Sequence, residues 1–251
     1  MKLKKSHNYH NLLIICGKVG AGKSALAEGL AALDANMSNQ TLTFDNIAWR
    51  IQPFIEKMDD SDNIGAPLIF DESIMGATGR SMGTTSLGIK LRIGLITRRW
   101  KLHTYVLLVD EINELSDKLI RMCDVFINVR TMGIKRGYFD CYTNKSKIEF
   151  LFNAFKQHKK TWNSKVVRNI KPDCKGKFPD YSGMFFNKKE YSEMKDKETK
   201  QMEDNGNNKE RKKTQVIVDV MGGMTQADAS KKHSVPLGTV ARWMSEFKAH
   251  A

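Results

Sequence analysis

The stretch that decides the fold is ICGKVGAGKS, residues Ile15 to Ser24. It fits the pattern G-x-x-x-x-G-K-[ST], with an apolar run before it and an alanine- and leucine-rich segment after it. Glycines let backbone N–H groups approach phosphates closely, and the helix that follows turns the positive end of its dipole toward the same charge. We therefore predict a phosphate-binding loop between a buried strand and a helix.

The same stretch predicts the contacts to ATP. Lys23 is expected to reach the β- and γ-phosphates, and Ser24 to ligate Mg²⁺. The residues predicted to line the nucleotide are Gly17, Lys18, Val19, Gly20, Ala21, Gly22, Lys23 and Ser24. The alternative, a glycine-rich turn that binds nothing, is disfavoured because a strand and a helix flank the loop as the motif requires.

Short apolar runs alternate with longer helical patterns from Asn11 to about Val129, which is typical of a sheet built from βα units. The predicted strands are Leu12–Cys16, Thr41–Phe44, Pro67–Asp71, Tyr105–Asp110 and Val125–Val129. Leucines at helical spacing predict two helices. The first is Lys23–Leu33, with Leu26, Leu30 and Leu33 on one face, and the second is Thr84–Lys101, with Leu87, Leu91 and Leu95 at helical spacing. The pattern predicts an α/β fold with a mostly parallel, five-stranded sheet.

Two of these strands end in an Asp-Glu pair, at the edge where ligands of open α/β sheets bind. We predict that Asp71 binds magnesium and that Glu72 activates the attacking water. In the sheet, the strand that ends at Asp110 is then expected to lie between the strand that ends at Asp71 and the strand before the phosphate loop. Asp110 or Asn113 would then sense the γ-phosphate. The opposite assignment, with Asp110 and Glu111 as the metal pair, stays open. Whichever pair does not hold the metal is expected to cap the next helix.

Composition favours a polyanionic partner. The 251 residues include 41 Lys and Arg against 28 Asp and Glu, a formal charge of +13, which favours nucleic acid over a membrane. No apolar stretch is long enough for a signal peptide or a membrane span, so we expect a cytoplasmic protein, in the host cytoplasm if the chain is viral. Four dispersed cysteines are expected to be reduced thiols, and the six histidines show no ligand spacing, so no metal beyond Mg²⁺ is predicted.

Three segments are predicted along the chain. Residues 1–186 form the nucleotide-binding domain, with an irregular extension from about 130 in which GYFDCYT is a possible strand, IEFLFNAFKQHKK a helix and PDCKGKFPDYSG a loop. Residues 187–213 are dominated by Lys, Glu, Asp and Asn and are predicted to be a solvated linker or an exposed charged helix. Apolar periodicity returns over residues 214–251.

The last segment resembles the helix-turn-helix of transposases and resolvases over TQADASKKHSVPLGTVARWM. Thr225 is the expected N-cap of its first helix, and Ser234 or Pro236 is expected to start the second, which would enter the major groove of DNA. The predicted DNA contacts are Lys231, Lys232, Thr239 and Arg242, with His233, Leu237 and Gly238 nearby, and the predicted core is Val216, Val220, Ala229, Val235, Val240, Trp243 and Phe247. A helical oligomerisation or docking module is the alternative.

The phosphate loop is followed by the acidic strand LIFDES, a helix ending in Arg98-Arg99, an apolar strand and a final strand. In this order of elements, residues 11 to 130 resemble the FtsK/HerA-like P-loop ATPases, in particular short viral or plasmid members. The resemblance implies an additional-strand sheet and a ring, usually hexameric, that translocates DNA with ATP, with a virion or transfer apparatus as a possible partner. It also implies that arginines complete a neighbouring subunit's site, for which Arg80, Arg98 and Arg99 are the candidates. The alternative is that Arg98 and Arg99 are the charged C-terminal end of a helix and interact with its dipole. The chain departs from the family at Asp110, where glutamine or asparagine is common.

The leading hypothesis is therefore a DNA-stimulated ATPase that moves DNA, in genome packaging or transfer, with a tethered DNA-binding module. One alternative is a non-processive ATP-dependent switch, such as a helicase loader or a transposition regulator. Another is a DNA-binding regulator that binds nucleotide without turnover. A small-molecule kinase is disfavoured by the Asp-Glu pair and the basic C-terminal segment.

Overall fold

A computed structural model describes residues 11–60, 64–71, 86–112, 115–132, 135–156, 162, 165–179 and 185–250. The chain divides into two compact units, Met1–Ser192 and Glu193–Ala251. The predictions for Glu72, Arg80 and Asn113 lie outside the described residues. The predicted division at 187–213 and 214–251 stays a prediction.

The first unit is built on a single sheet with the strand order β2-β3-β4-β1-β5-β6-β7 among the described residues. The strands are β1 (Asn11–Cys16), β2 (Ile47–Ala48), β3 (Pro67–Phe70), β4 (Thr104–Val109), β5 (Val125–Met132), β6 (Lys135–Tyr142) and β7 (Cys174–Lys177). The first five pair in parallel, and β6 and β7 add two antiparallel strands beyond β5. Strand β4 lies between β1 and β3, as predicted for the additional-strand arrangement.

The central strands are continuously apolar because both of their faces are covered. Every residue of β1 and of β4 is buried. The helices of this unit are α1 (Lys23–Met37), α2 (Ile51–Asp59), α3 (Ser86–Thr97), α4 (Asp117–Met122), α5 (Lys145–Lys156) and α6 (Lys165–Arg168). Large side chains from strands and helices meet in one core, among them Phe54, Phe70, Tyr105 and Phe126.

The prediction of a five-stranded sheet is wrong because the extension after residue 130 supplies two more strands. PDCKGKFPDYSG was predicted to be a loop, yet Cys174–Lys177 pairs along β6 as an edge strand. The ring of Phe139 packs against Gly176, because a Cβ added to Gly176 would be 3.0 Å from two ring carbons. Pairing with a neighbouring strand therefore outweighs the low strand propensity of the local sequence.

The predicted strand Thr41–Phe44 is also wrong. The chain forms a 3₁₀ turn at Phe44–Asn46, and the strand follows it at Ile47–Ala48. The Asn46 side chain accepts a hydrogen bond from the Thr43 N–H at 2.7 Å and donates one to the Pro67 carbonyl at 3.0 Å. This buried amide fixes the turn, and the strand begins at Ile47, six residues later than predicted.

Helix α1 buries a different face from the one its leucines predict. Leu26, Ala27, Ala31 and Ala35 are buried, whereas Leu33 is 62% exposed. Small side chains let the helix approach the sheet closely, so the alanines face it. In α3, Leu91 and Leu95 are fully buried, as their spacing predicts.

Helix α7 (Lys188–Met221) covers the segment predicted to be a linker or a charged helix, and α8 (Gln226–Lys232) and α9 (Leu237–His250) follow it. The second unit has its own small core of Val216, Ala229, Val235, Val240, Trp243 and Met244. Thr225 caps α8 by accepting a hydrogen bond from the Asp228 N–H at 3.1 Å. Phe247 was predicted to join this core but is 38% exposed, and Met244 takes its place.

Candidate nucleotide-binding site

The loop between β1 and α1 requires its glycines. A Cβ on Gly17 would lie 2.4 Å from the carbonyl oxygen of Val129 in β5, so no larger residue fits there. Gly20 and Gly22 have φ angles of +78° and +104°, which L-residues with side chains rarely adopt. Val19, at the tip, is 84% exposed. The loop is thus held close to the sheet at its start while its tip faces solvent.

Helix α1 begins without a side-chain cap. Its N-cap is Gly22, no side chain accepts from its first N–H groups, and its first turn carries no acidic residue. The first donors of a helix have no partner within the helix, and together with the dipole they favour an anion. The end of the loop therefore provides donors of the kind that cradle phosphates.

The ammonium group of Lys23 lies inside the loop and contacts two oxygens. It donates to the Gly17 carbonyl at 2.6 Å and to Oδ1 of Asp110 at 2.6 Å. Its side chain is 12% exposed. A charge-assisted pair of this kind fixes the long side chain across the loop, close to where phosphate oxygens would lie.

Ser24 contacts the other acidic residue. Its hydroxyl donates to Oδ2 of Asp71 at 3.0 Å, and Asp71 is only 3% exposed. Hydroxyl and carboxylate oxygens are the hard donors that Mg²⁺ prefers, with the remaining positions filled by water and phosphate oxygens. The residues present therefore fit a magnesium ion held by Ser24 and Asp71.

The two acidic strand ends now have different partners. Both β3 and β4 end at the same edge of the sheet, and Asp71 reaches Ser24 while Asp110 reaches Lys23. Asp71 is thus the carboxylate that the serine of the phosphate loop contacts. In the alternative assignment, with Asp110 and Glu111 as the metal pair, the aspartate is the one that contacts the Lys23 ammonium at 2.6 Å.

A phenol that the sequence did not predict joins this site. The Tyr191 hydroxyl, in the first turn of α7, donates to Oδ2 of Asp71 at 2.6 Å. Burial, and then the charge of Asp71, raise the pKa of Tyr191 far above its usual range, so the phenol stays a neutral donor. Tyr191 is the only aromatic residue in 187–213, and this was the one signal that could have drawn attention to it.

Phe178 is a second residue that the sequence did not predict. It follows β7 directly, its backbone N–H donates to the Gly137 carbonyl at 2.8 Å, and it is 6% exposed. Its ring carbons lie 3.3 to 3.4 Å from where a Cβ on Gly22 would be. The edge strand β7 thus places an aromatic ring against the end of the phosphate loop.

Arg98, one of the candidate arginines, lies away from these residues. Arg98 follows α3 and forms an ion pair with Asp59 at the end of α2. Lys101, three residues on, accepts a backbone hydrogen bond from Gly65, which precedes β3, so this region lies at the amino edge of the sheet. Arg98 therefore cannot reach the loop of its own chain. Arg99 belongs to a 3₁₀ turn at Arg99–Lys101.

In the second unit, several predicted DNA contacts also have partners in the protein. Lys232 pairs with Asp219 at 2.8 Å, and His233 contacts the same carboxylate at 2.7 Å. Arg242 lies 3.7 Å from Glu246 on the same helix and is 62% exposed at its side chain. Lys231 is exposed, and Thr239 is half-buried near the start of α9. Trp243 is 5% exposed, so the prediction that it is a core residue is confirmed.

No described helix is long and apolar enough to cross a bilayer. No protein-family model matches the chain, and no curated protein matches it.

Solved structures show a distant similarity. The N-terminal domain of zonular occludens toxin from Neisseria meningitidis is 14% identical, with a TM-score of 0.41 over 57% of this chain and 91% of that one. The genome packaging NTPase B204 from Sulfolobus turreted icosahedral virus 2, in complex with AMPPCP, is 14% identical, with a TM-score of 0.41 over 55% and 93%. A chain of the E. coli MS115-1 HORMA:CdnC:Trip13 complex is 14% identical, with a TM-score of 0.38 over 70% and 79%. Similarity at this level assigns no activity to the chain.

Proposed function

We propose that this protein hydrolyses ATP and uses the energy to move DNA, in packaging or transfer of a genome. The observation that carries the ATPase part is the 3.0 Å hydrogen bond from Ser24, in the first turn of α1, to Asp71, which directly follows β3. A phosphate loop whose serine meets a buried carboxylate on a separate strand is the arrangement that holds Mg²⁺ against the β- and γ-phosphates of a nucleotide.

Each residue has a separate task in this proposal. The N–H groups of 17–24 bind the phosphates and Lys23 neutralises their charge, releasing Asp110 as it does so. Magnesium, when bound, draws negative charge from the phosphate oxygens. Glu72 accepts a proton from the water that attacks the γ-phosphorus, and the bond to the bridging oxygen breaks so that its electron pair leaves with ADP. Asp110, no longer paired with Lys23, then acts as the sensor of the γ-phosphate.

DNA is the proposed partner because of charge and of the second unit. The net charge of +13 gives a field that attracts a polyanion. Helices α8 and α9, joined by a short turn around a shared core, have the size of a helix-turn-helix. We propose that Lys231, Thr239 and Arg242 contact DNA, with Lys232 contributing once it leaves Asp219.

Movement along DNA would require several copies. We propose a ring, in which Arg80, Arg98 or Arg99 supplies charge to the site of the next subunit, since Arg98 cannot reach its own. Such an arginine is worth about 10³ to 10⁵ in rate. Arg98 would have to exchange its partner Asp59 for phosphate.

The test has two stages. Phosphate release from ATP is measured with the full chain and Mg²⁺, with and without duplex DNA, beside a Lys23→Ala variant. We expect turnover that DNA accelerates and that the variant lacks. Displacement of a third strand from a triplex then tests movement. Brisk turnover without displacement would favour the non-processive switch, and nucleotide binding without turnover would favour the regulator.

A further inference from the structure

The Tyr191 phenol contacts the carboxylate that the proposed function assigns to magnesium. Its oxygen is 2.6 Å from Oδ2 of Asp71, and the Ser24 hydroxyl is 3.0 Å from the same oxygen. The carboxylate oxygen that the proposed function assigns to the metal thus accepts hydrogen bonds from two hydroxyls.

On that basis, and resting on the proposed function, we propose that Tyr191 and the magnesium ion of the nucleotide compete for Asp71. A carboxylate oxygen offers about two lone-pair sites, and Oδ2 already receives two hydroxyl donors. Magnesium binds oxygens at about 2.0 to 2.1 Å and keeps an octahedral shell of ligands. A cation bound at Asp71 would draw charge from Oδ2 and weaken it as an acceptor for the phenol, so each of the two contacts disfavours the other.

Packing holds the Tyr191 ring in this position independently of its hydroxyl. The ring centroid lies 5.8 Å from that of Trp49, edge-on, and 6.4 Å from both Phe44 and Phe186. Phe44 and Phe186 stack on each other at 4.4 Å. Removing the hydroxyl alone should leave this aromatic cluster in place, which makes Tyr191→Phe a clean variant.

Affinity for a non-hydrolysable ATP analogue is measured in excess Mg²⁺ and in EDTA for the unaltered protein, Tyr191→Phe and Phe186→Leu. A hydrogen bond to a charged group is worth about 1.5 to 3 kcal/mol, so Tyr191→Phe should bind the magnesium complex about tenfold or more tightly. Its affinity in EDTA should not change. The control Phe186→Leu disturbs the same cluster but keeps the hydroxyl, so its gain on adding Mg²⁺ should match that of the unaltered protein.

Trp49 provides a second readout because it contacts Tyr191. Addition of the magnesium complex should change tryptophan emission in the unaltered protein, and Trp49→Phe should lose that change while still binding the nucleotide. An unchanged or smaller magnesium effect in Tyr191→Phe would overturn the competition. Failure of the unaltered protein to bind nucleotide in either condition would instead overturn the proposed function, and this inference with it.

A separate observation carries a second inference, which does not depend on nucleotide. Cys141 and Cys174 are direct cross-strand partners in the antiparallel pair β6-β7. Paired residues on antiparallel strands have Cα atoms about 4.5 to 5.5 Å apart, within the range of about 4.4 to 6.8 Å that a disulfide needs. The two residues are 33 positions apart in sequence, so spacing alone does not show the pair.

We infer that Cys141 and Cys174 form an intramolecular disulfide when a peroxide oxidises the protein. Cys174 is exposed and reacts first, becoming a sulfenic acid as the peroxide is reduced to water. The thiol of Cys141, 7% exposed, then attacks that sulfur and releases a second water. The bond would fasten the edge strand β7, which carries Phe178 against the phosphate loop.

The full chain is treated with hydrogen peroxide, and its peptides are mapped by mass spectrometry without reduction. We expect one linked pair, Cys141 with Cys174, while Cys16 and Cys123, both buried, stay reduced. Cys174→Ser should abolish the link and Cys123→Ser should not. Links only between molecules, or a sulfonic acid at Cys174 with no link, would overturn the inference.

Discussion

The carboxyl ends of β3 and β4 have the same Asp-Glu sequence and lie beside each other in the sheet, yet their aspartates have different surroundings. Asp71 is 3% exposed and receives hydroxyls from Ser24 and Tyr191. Asp110 has a side chain that is 32% exposed and pairs with the Lys23 ammonium. A buried carboxylate beside hydroxyls suits a metal, whereas a carboxylate beside a cation suits a reversible contact. Strand order, more than local sequence, separates the surroundings of the two aspartates.

The largest expected effect is on the rate of ATP turnover, and it should distinguish the glutamates that follow the two aspartates. Glu72→Gln should lower ATP turnover by about 10² to 10⁴, the usual contribution of a general base, and leave ATP binding intact. Glu111→Gln is the matched variant and should turn over ATP at nearly the normal rate. Steady-state phosphate release together with nucleotide binding measures both. Retained turnover in Glu72→Gln, with loss in Glu111→Gln, would transfer the catalytic role to β4.

An intermediate effect should distinguish the partners of the two aspartates. Lys23→Met removes the cation beside Asp110 and should weaken nucleotide binding by about 10- to 100-fold, with or without Mg²⁺. Ser24→Ala removes a hydroxyl beside Asp71 and should weaken binding by about tenfold only when Mg²⁺ is present. Calorimetric titration in Mg²⁺ and in EDTA checks both variants. Equal losses for Ser24→Ala in the two conditions would contradict the metal role of Asp71.

The smallest effect is expected at the opposite edge of the same strands. Arg98→Gln breaks the ion pair with Asp59, whose side chain is 53% exposed. Screened pairs of this kind contribute about 0.2 to 1 kcal/mol, so urea unfolding should shift only slightly and nucleotide affinity should not change. A large loss of turnover with unchanged stability would identify Arg98, among the three candidates, as the arginine that acts on a neighbouring subunit.

The sequence predicts the parts of the site that one continuous stretch encodes. The sequence directly predicts the phosphate loop with Lys23 and Ser24, and both strands that end in Asp-Glu. It does so because the motif and the apolar strands are local patterns. The insertion of β4 between β1 and β3 was also predicted and is confirmed. Which aspartate meets Ser24 is a question of distance in space, and the sequence alone left it open.

The remaining features depend on contacts between distant segments. Strand β7 forms because β6 offers an edge, although only one of its four residues, Cys174, is neither lysine nor glycine. Tyr191 belongs to a charged helix and becomes part of the site because aromatic residues at 44, 49 and 186 pack around it. No local pattern encodes either contact. Leu33 shows the converse, since its helical spacing is correct but alanines take the buried face.

The most direct test of the metal assignment is a crystal structure of the protein with a non-hydrolysable ATP analogue and Mn²⁺ in place of Mg²⁺, located by its anomalous signal. We predict one ion bound to the Ser24 hydroxyl and the phosphates, next to Asp71, with the Tyr191 hydroxyl displaced from Oδ2. An ion at Asp110 or Glu111, with Asp71 still bound to Tyr191, would contradict the account.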